Sequence, residues 1–521
     1  MGHGKNFDEK TVVAPGAKWN KAIGIFGIAG IAFIAIACFT QPNKAQFMHS
    51  YLTSFMLFLS ITLGALGFTM INHITRAGWS VTVRRIQEGF MKNIWLMALL
   101  FLPILFFANE IFSWADSRDG ETLKADLKLD TYHFTDAHHG HDDHAEEAHG
   151  EHDDNAHPHE EKVKEVKKEV EADKPAVGGH PEKNRVRQQE EISEAQDAAE
   201  AHIEGEEEEE AHSEGAHTAH DDHHAAGGRF DLAHGRHRAH LEHSLHVKHS
   251  YLNKSAFTQR AIIYFIIWIA LAFFMFKKST SQDADGNPKT TILMGKASAP
   301  GLMLYALSLT FASFDWMMSL DYAWFSTIYG VIYFAGGIMS MHAATVLAVR
   351  VLQAKGYLQG AVDQEHYHDL GKLMWAFMIF WTYTALSQYL IIWYADIPEE
   401  TIWFLNRYKE GWLPITYIVI ASHFLIPFAF FMSRHMKRNK NICAFFAAWL
   451  IIAEFIYIYW QVMPTVTFPI TTPFSPSIAD ALIFFGMAGV YVAAFLFNLK
   501  NQNLIPVRDP RLKESVNFVN L

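Results

Sequence analysis

Apolar residues gather along this chain into ten stretches long enough to cross a bilayer. None alternates with the period of two that marks a half-buried strand, and each is about twice the length of a barrel strand, so the pattern predicts helices. They cover residues 22–40, 51–74, 90–112, 257–276, 301–319, 327–347, 372–393, 412–432, 442–463 and 478–499. Pro103, Pro427 and Pro464 lie in or at the ends of these runs and should kink or stop them. Between the third and fourth runs the pattern is replaced by a long segment of His, Glu, Asp, Lys and Ala. The chain therefore reads as an all-α integral membrane protein in five parts. An N-terminal segment covers 1–21, helices one to three 22–115, a His/acid-rich insertion 116–254, helices four to ten 255–500, and a tail 501–521.

Charge follows the same division. The formal charge of −12 is the sum of −21 over residues 116–250 and +9 over the remainder. A basic lipid-embedded body with one acidic insertion gives no support for nucleic-acid binding. Lys18, Lys21, Arg76, Arg84, Arg85, Lys92, Arg350, Lys355, Arg434, Lys437, Arg438, Lys440, Lys500, Arg508 and Arg511 all fall on one side of the predicted membrane. The short loops of the other side hold only Lys44, Arg407 and Lys409 as cations, among several acids. The Lys/Arg-rich side is the cytoplasmic one, so both termini are expected in the cytoplasm and the insertion in the periplasm of a bacterial inner membrane. The run ending Ala35-Ile36-Ala37-Cys38 is longer than a usual signal core, and we read it as an uncleaved first span.

Residues 130–250 hold few aromatic or branched apolar side chains, too few to repay the entropy of ordering. Two pieces, 160–173 and 188–210, have a helical pattern that is marginal in isolation. The insertion carries 22 of the 30 histidines, many beside acids: His138, His139, His141, His144, His220, His223 and His224 form two such groups. A further row, His234, His237, His240, His243, His246 and His249, recurs every third residue. Imidazole with carboxylate suits weak, multi-site binding of zinc, copper or nickel. A low-complexity hydrophilic segment, whose histidines reflect drift or pH buffering, is the reading we prefer to a metal site. The two cysteines, Cys38 and Cys443, are too few for a cysteine-held iron–sulfur cluster or a C-x-x-C-H haem attachment.

Polar residues inside the predicted spans need a reason, because a charge near the bilayer centre costs roughly 2.5–3.5 kcal/mol on insertion scales. They are Asp315, His342, Gln388, His423, Glu454, Gln461 and Asp480, with Asp321 pinned in the short loop after the fifth span. Counting rise per residue places His423 and Glu454 near mid-depth, His342 on the cytoplasmic side, and Asp315, Gln388, Gln461 and Asp480 toward the outer face. Imidazole and carboxylate can exchange protons with one another or with a hydroquinone, whose ring Trp316, Tyr333, Trp381 and Tyr389 could wall. We therefore take Asp315, His342, His423, Glu454, Gln388 and Asp321 as proton-path or quinone-site candidates, while interhelical packing is the better reading of Gln388 and Gln461. His342 and His423 differ in depth by more than a turn, which argues against a bis-His haem. Trp316 and Trp324 are placed as interfacial anchors.

The string Phe314-Asp315-Trp316-Met317-Met318-Ser319-Leu320-Asp321-Tyr322-Ala323-Trp324, with Gly78-Trp79-Ser80, Arg84-Arg85-Ile86-Gln87-Glu88 and the ten-span plan, resembles the ActF membrane subunits of alternative complex III. These belong to a bacterial quinol:cytochrome c oxidoreductase. The resemblance covers the membrane part and leaves out the insertion. It implies a fold similar to polysulfide-reductase membrane subunits, with two four-helix bundles and flanking helices. It also implies no metal cofactor of the subunit's own. Its implied partners are a sister membrane subunit, an iron–sulfur protein, cytochrome c subunits, quinone and, in some assemblies, a terminal oxidase. Quinol oxidation is placed in the sister subunit, which turns Asp315, His342, His423 and Glu454 toward proton conduction or structure. Two other classes compete. A divalent-metal transporter could use the insertion to collect ions, but no span shows His and carboxylate at i and i+4. A purely structural scaffold is the third.

Overall fold

The computed structural model describes residues 9–115, 241, 243, 244 and 246–519. The chain divides into two units, Met1–Leu127 with His234–Leu521, and Lys128–Ala233, and all described residues lie in the first. The helices expected at 160–173 and 188–210, and His138, His139, His141, His144, His220, His223, His224, His234, His237 and His240, lie outside the described residues.

Ten helices among the described residues are long and apolar enough to cross a membrane: α1 Gly16–Thr40, α2 Lys44–Ile74, α3 Val81–Phe106, α4 Lys254–Asp285, α5 Pro288–Leu320, α6 Tyr329–Ala354, α7 Gln364–Ala395, α8 Leu413–Phe431, α9 Lys440–Thr465 and α10 Ile478–Leu499. Most begin earlier or end later than the apolar runs, because caps rather than hydropathy set their ends. The Asn253 side chain accepts from Ala256 N–H at the start of α4. Asn439 accepts from Asn441 and Ile442 N–H at the start of α9. Asp363, nine residues before the apolar run, caps α7 in a capping box with His366.

The largest correction is α3, which starts at Val81 instead of residue 90. The charges of Arg84, Arg85 and Glu88 suggest a loop. They are instead fully buried on the first turns of this helix, where Glu88 pairs with both arginines and Asp509 and Asp283 supply the remaining negative charge. The three prolines act as expected: α3 is interrupted at Phe101 and Phe107 on either side of Pro103, Pro464 lies in the 3-10 turn ending α9, and a wide turn precedes Pro427.

Helix α2 is apolar on every face and is enclosed by α3, α5, α6, α9 and α10. Helix α6 is the second hub, packed on α2, α5, α7 and α9. Helix α1 rests chiefly on α10, where a Cβ on Gly30 would stand 2.5 Å from the Gly486 carbonyl oxygen, so only glycine permits that approach. The face of α1 turned away exposes Ile25, Ile28, Ile31 and Phe39, as suits lipid. Ahead of α1, Ala14 N–H donates to Gln502 O and Leu504 N–H to Val12 O, joining the two terminal segments.

Trp316 and Trp324 are buried and are not surface anchors. Trp316 sits among Phe55, Phe101, Phe265 and Trp268, and Trp324 stacks on Trp403 at 4.5 Å. The end of the insertion departs from expectation too. Leu241 and Ser244 are buried, residues 246–248 are helical, and Lys248 Nζ donates to Tyr322 O at 2.6 Å. His243, His246 and His249 of the His row remain exposed.

Candidate functional site

Helix α8 meets a difficulty at Pro427, whose ring clashes with the carbonyl four residues earlier and which has no N–H to donate. The backbone responds with a π-helical turn over Ala421–Leu425, in which Ile426 N–H returns to Ala421 O. This wide turn carries His423 into the protein. His423 Nε2 lies 2.8 Å from Glu454 Oε2 of α9, and both side chains are wholly buried. The indole of Trp381, from α7, stacks on the imidazole with centroids 3.6 Å apart, and Tyr457 meets Trp381 edge-on at 4.7 Å. From α6, Gly336 passes over the carboxylate so closely that a Cβ there would lie within 2.2 Å of Glu454 Oε1. Four helices thus fix the pair.

At 2.8 Å a proton can sit on either partner, giving imidazolium with carboxylate or imidazole with carboxylic acid. His423 Nδ1 and Glu454 Oε1, the outward atoms of the pair, have no hydrogen-bond partner among the described residues. Buried polar atoms ordinarily have one, so these two positions are suited to a water or a transferring proton.

The other candidates do not gather around this pair. Asp315 is bound at both oxygens by Arg260 of α4, each at 2.9 Å, and accepts from the Tyr264 hydroxyl at 2.9 Å. It is a paired carboxylate, not a lone one. Arg260 is visible in the sequence as a cation inside the fourth run and is the counter-charge missing from the intramembrane polar residues singled out above. His342 Nδ1 bonds to Ile338 O at 2.8 Å on its own helix, while its ring packs on Phe68 and Phe377. Gln388 accepts from the Ser326 hydroxyl, Gln461 accepts from Tyr329, and Asp480 joins Ser50, Tyr459 and Ser477 at the start of α10. Asp321 accepts from Ala323 and Trp324 N–H, closing the turn before α6. Burial pushes its carboxyl above the ordinary value, opposed by Arg407 and those N–H groups. The four aromatic residues expected to wall a quinone do not converge. Trp381 covers His423, the Tyr333 hydroxyl donates to Met56 O, Trp316 fills the core by α4, and Tyr389 packs on Phe404.

Two buried charged groups lie outside the sequence-derived candidates. At the Lys/Arg-rich end, Arg84 bridges Glu88 at 3.1 Å and Asp509 at 2.7 Å, while Arg85 bridges Glu88 at 3.2 Å and Asp283 at 3.0 Å. The i,i+4 and i,i+3 spacing of Arg84 and Arg85 to Glu88 was a legible sign that these charges belong to a helix. Burial works to raise the Asp509 carboxyl, but Arg84 and the N–H and guanidinium of Arg511 outweigh it and hold it at about 2. At the opposite end Arg407 is buried between indoles. It lies 3.3 Å over the Trp403 ring and donates to the carbonyls of Trp403, Trp460 and Gln461. Burial lowers its guanidinium to about 9. No hydrogen-bonded carboxylate would have revealed it.

Among the described residues, no group of three or more His, Cys, Asp or Glu converges as a metal site. No protein-family model and no curated protein matches the chain.

Proposed function

We propose that the chain is a membrane subunit of a bacterial quinol-oxidising respiratory complex, similar to the ActF subunits, and that its His423–Glu454 pair handles protons within the bilayer. The observation that carries this reading is the pair itself. Two ionisable groups are buried together at the depth expected of the membrane centre, each with an unpartnered outer atom. Intramembrane ionisable groups that serve only packing are costly, and a pair able to pass one proton is the economical reason to keep them. Gln461 lies two turns from Glu454 on α9 and bonds the Tyr329 hydroxyl at 3.0 Å, so polar groups continue along that helix toward the Arg407 end.

In the two-bundle arrangement implied by the resemblance, α2–α5 would form one four-helix group and α6–α9 the other with α1 and α10 alongside, and the close packing of α2 on α6 would be the seam between the groups. In this reading quinol is oxidised in a sister subunit. The iron–sulfur and cytochrome c subunits stand outside the membrane, and both termini of this chain are cytoplasmic. Asp315, with Arg260 and Tyr264, serves to join α4 and α5.

Affinity purification of the tagged chain from native membranes tests the assignment. Co-purifying haem and iron–sulfur subunits with quinol:cytochrome c activity are expected. Recovery of the chain alone, without haem or activity, under conditions that keep other respiratory complexes whole would overturn it.

A further inference from the structure

The connection between α8 and α9 lies beside an open-sided cleft of about 750 Å3 lined by Gln364, Arg434, His435, Arg438 and Asn439. That volume falls within the roughly 300–1,000 Å3 of small-molecule sites. From Ser433 to Lys440 the chain carries Arg434, His435, Lys437, Arg438 and Lys440 and no acid. The acids facing the loop come from α7 and are already engaged: Glu365 with Arg438 and Asp369 with Lys372. Lys437 turns inward, donating to Met432 O at 2.8 Å and lying over the Trp375 ring. Arg434 and His435 stay exposed at the cleft.

The cleft therefore has an uncompensated positive edge at the end of two membrane-crossing helices. The segments entering and leaving it expose Phe430, Met432 and Phe445. Cationic groups at headgroup level above lipid-facing apolar side chains are the combination that an anionic phospholipid meets at both ends, whereas a soluble anion uses only the first. We propose that this cleft holds the headgroup phosphate of an anionic phospholipid, with Arg434 on the phosphate, beside the Glu365-paired Arg438, and the acyl chains against the exposed apolar side chains below. The proposal is independent of the respiratory reading.

Native mass spectrometry of the full chain in detergent, with phosphatidylglycerol or phosphatidylcholine added, is the test. Phosphatidylglycerol should be retained in preference to phosphatidylcholine. Arg434→Gln should reduce its retention roughly fivefold, the ratio expected for one cation near an anionic surface. An unchanged melting temperature of Arg434→Gln, whose side chain is exposed, shows that the variant is folded. Lys289→Gln, a removed charge on an exposed residue in the first turn of α5, should leave retention unchanged. Equal retention of the two lipids, an equal loss in Lys289→Gln, or displacement of phosphatidylglycerol by millimolar inorganic phosphate would each overturn the proposal, the last by making the site one for soluble phosphate.

Discussion

Neither His423 nor Glu454 is comfortable in an apolar interior alone, and each removes the difficulty for the other. Glu454→Gln keeps a hydrogen-bonding group beside His423 but abolishes titration. On the proposed function the assembled complex should form normally and lose quinol-dependent proton release, measured with a pH dye in proteoliposomes. Normal release in that variant would make the pair a packing device. Gly336→Ala attacks the same site from α6, because its methyl group would occupy the space of the carboxylate. We expect a loss of about 1–3 kcal/mol, the usual range for overpacking, read as a lower unfolding midpoint in detergent. Rise per residue sufficed to place His423 and Glu454 at one depth. It could not supply the direction in which each side chain points, because the π turn adds a residue to α8 and rotates the rest of the helix. Asp315 shows the converse limit. Its place near the end of the fifth apolar run was legible, but its surroundings depend on Arg260, a neighbour distant in sequence.

At the level of helices, the apolar runs located all ten spans, while their ends depended on hydrogen bonds that hydropathy does not register. Helix α3 is the clearest example. Its first turns look like a basic loop until Asp283 and Asp509, from distant segments, are brought against Arg84 and Arg85. Removing Asp509 by Asp509→Asn should therefore cost roughly 3 kcal/mol, since it leaves Arg84 buried with one partner fewer. Acid should act the same way. The folded carboxyl titrates at about 2, below the ordinary 3.8, so its contribution is complete above about pH 4 and is lost as pH falls from there toward 2. The protection of residues 509–516 against hydrogen exchange, taken relative to the intrinsic rate at each pH, should fall over that window and recover on return to neutral pH. The helix Leu512–Val516 comes after Asp509 in the chain and is tied down by Ser515, whose Oγ donates to Trp79 O, so it should loosen first.

For the molecule as a whole, an even number of membrane-length helices among the described residues, and the pairing of Val12 and Ala14 with Gln502 and Leu504, bring the segments before α1 and after α10 together at one end of the helices. On the proposed function that end is the cytoplasmic one, in keeping with the Lys/Arg distribution. A thiol-reactive, membrane-impermeant label should leave Lys355→Cys unmodified in intact spheroplasts and modify Asp142→Cys. The opposite pattern would reverse the orientation. Native Cys443 is buried and should not interfere, and Cys38, on the lipid-facing helix α1, provides the background to subtract.

The seam between α1 and α10 has a bearing on how the protein is made. Helix α1 leaves the ribosome ahead of the other described spans and has its main protein contact with α10, which follows them, and Gly30 and Gly486 must meet almost backbone to backbone for that seam to close. While the intervening helices are made, α1 therefore waits in the membrane with its binding face against lipid or against the insertion machinery. The seam, and with it the pairing of Val12 and Ala14 with Gln502 and Leu504, can form only once those later residues have emerged. A chain stalled short of α10 would be left with an unclaimed glycine-lined helix, a feature by which quality-control proteases could tell unfinished copies from finished ones.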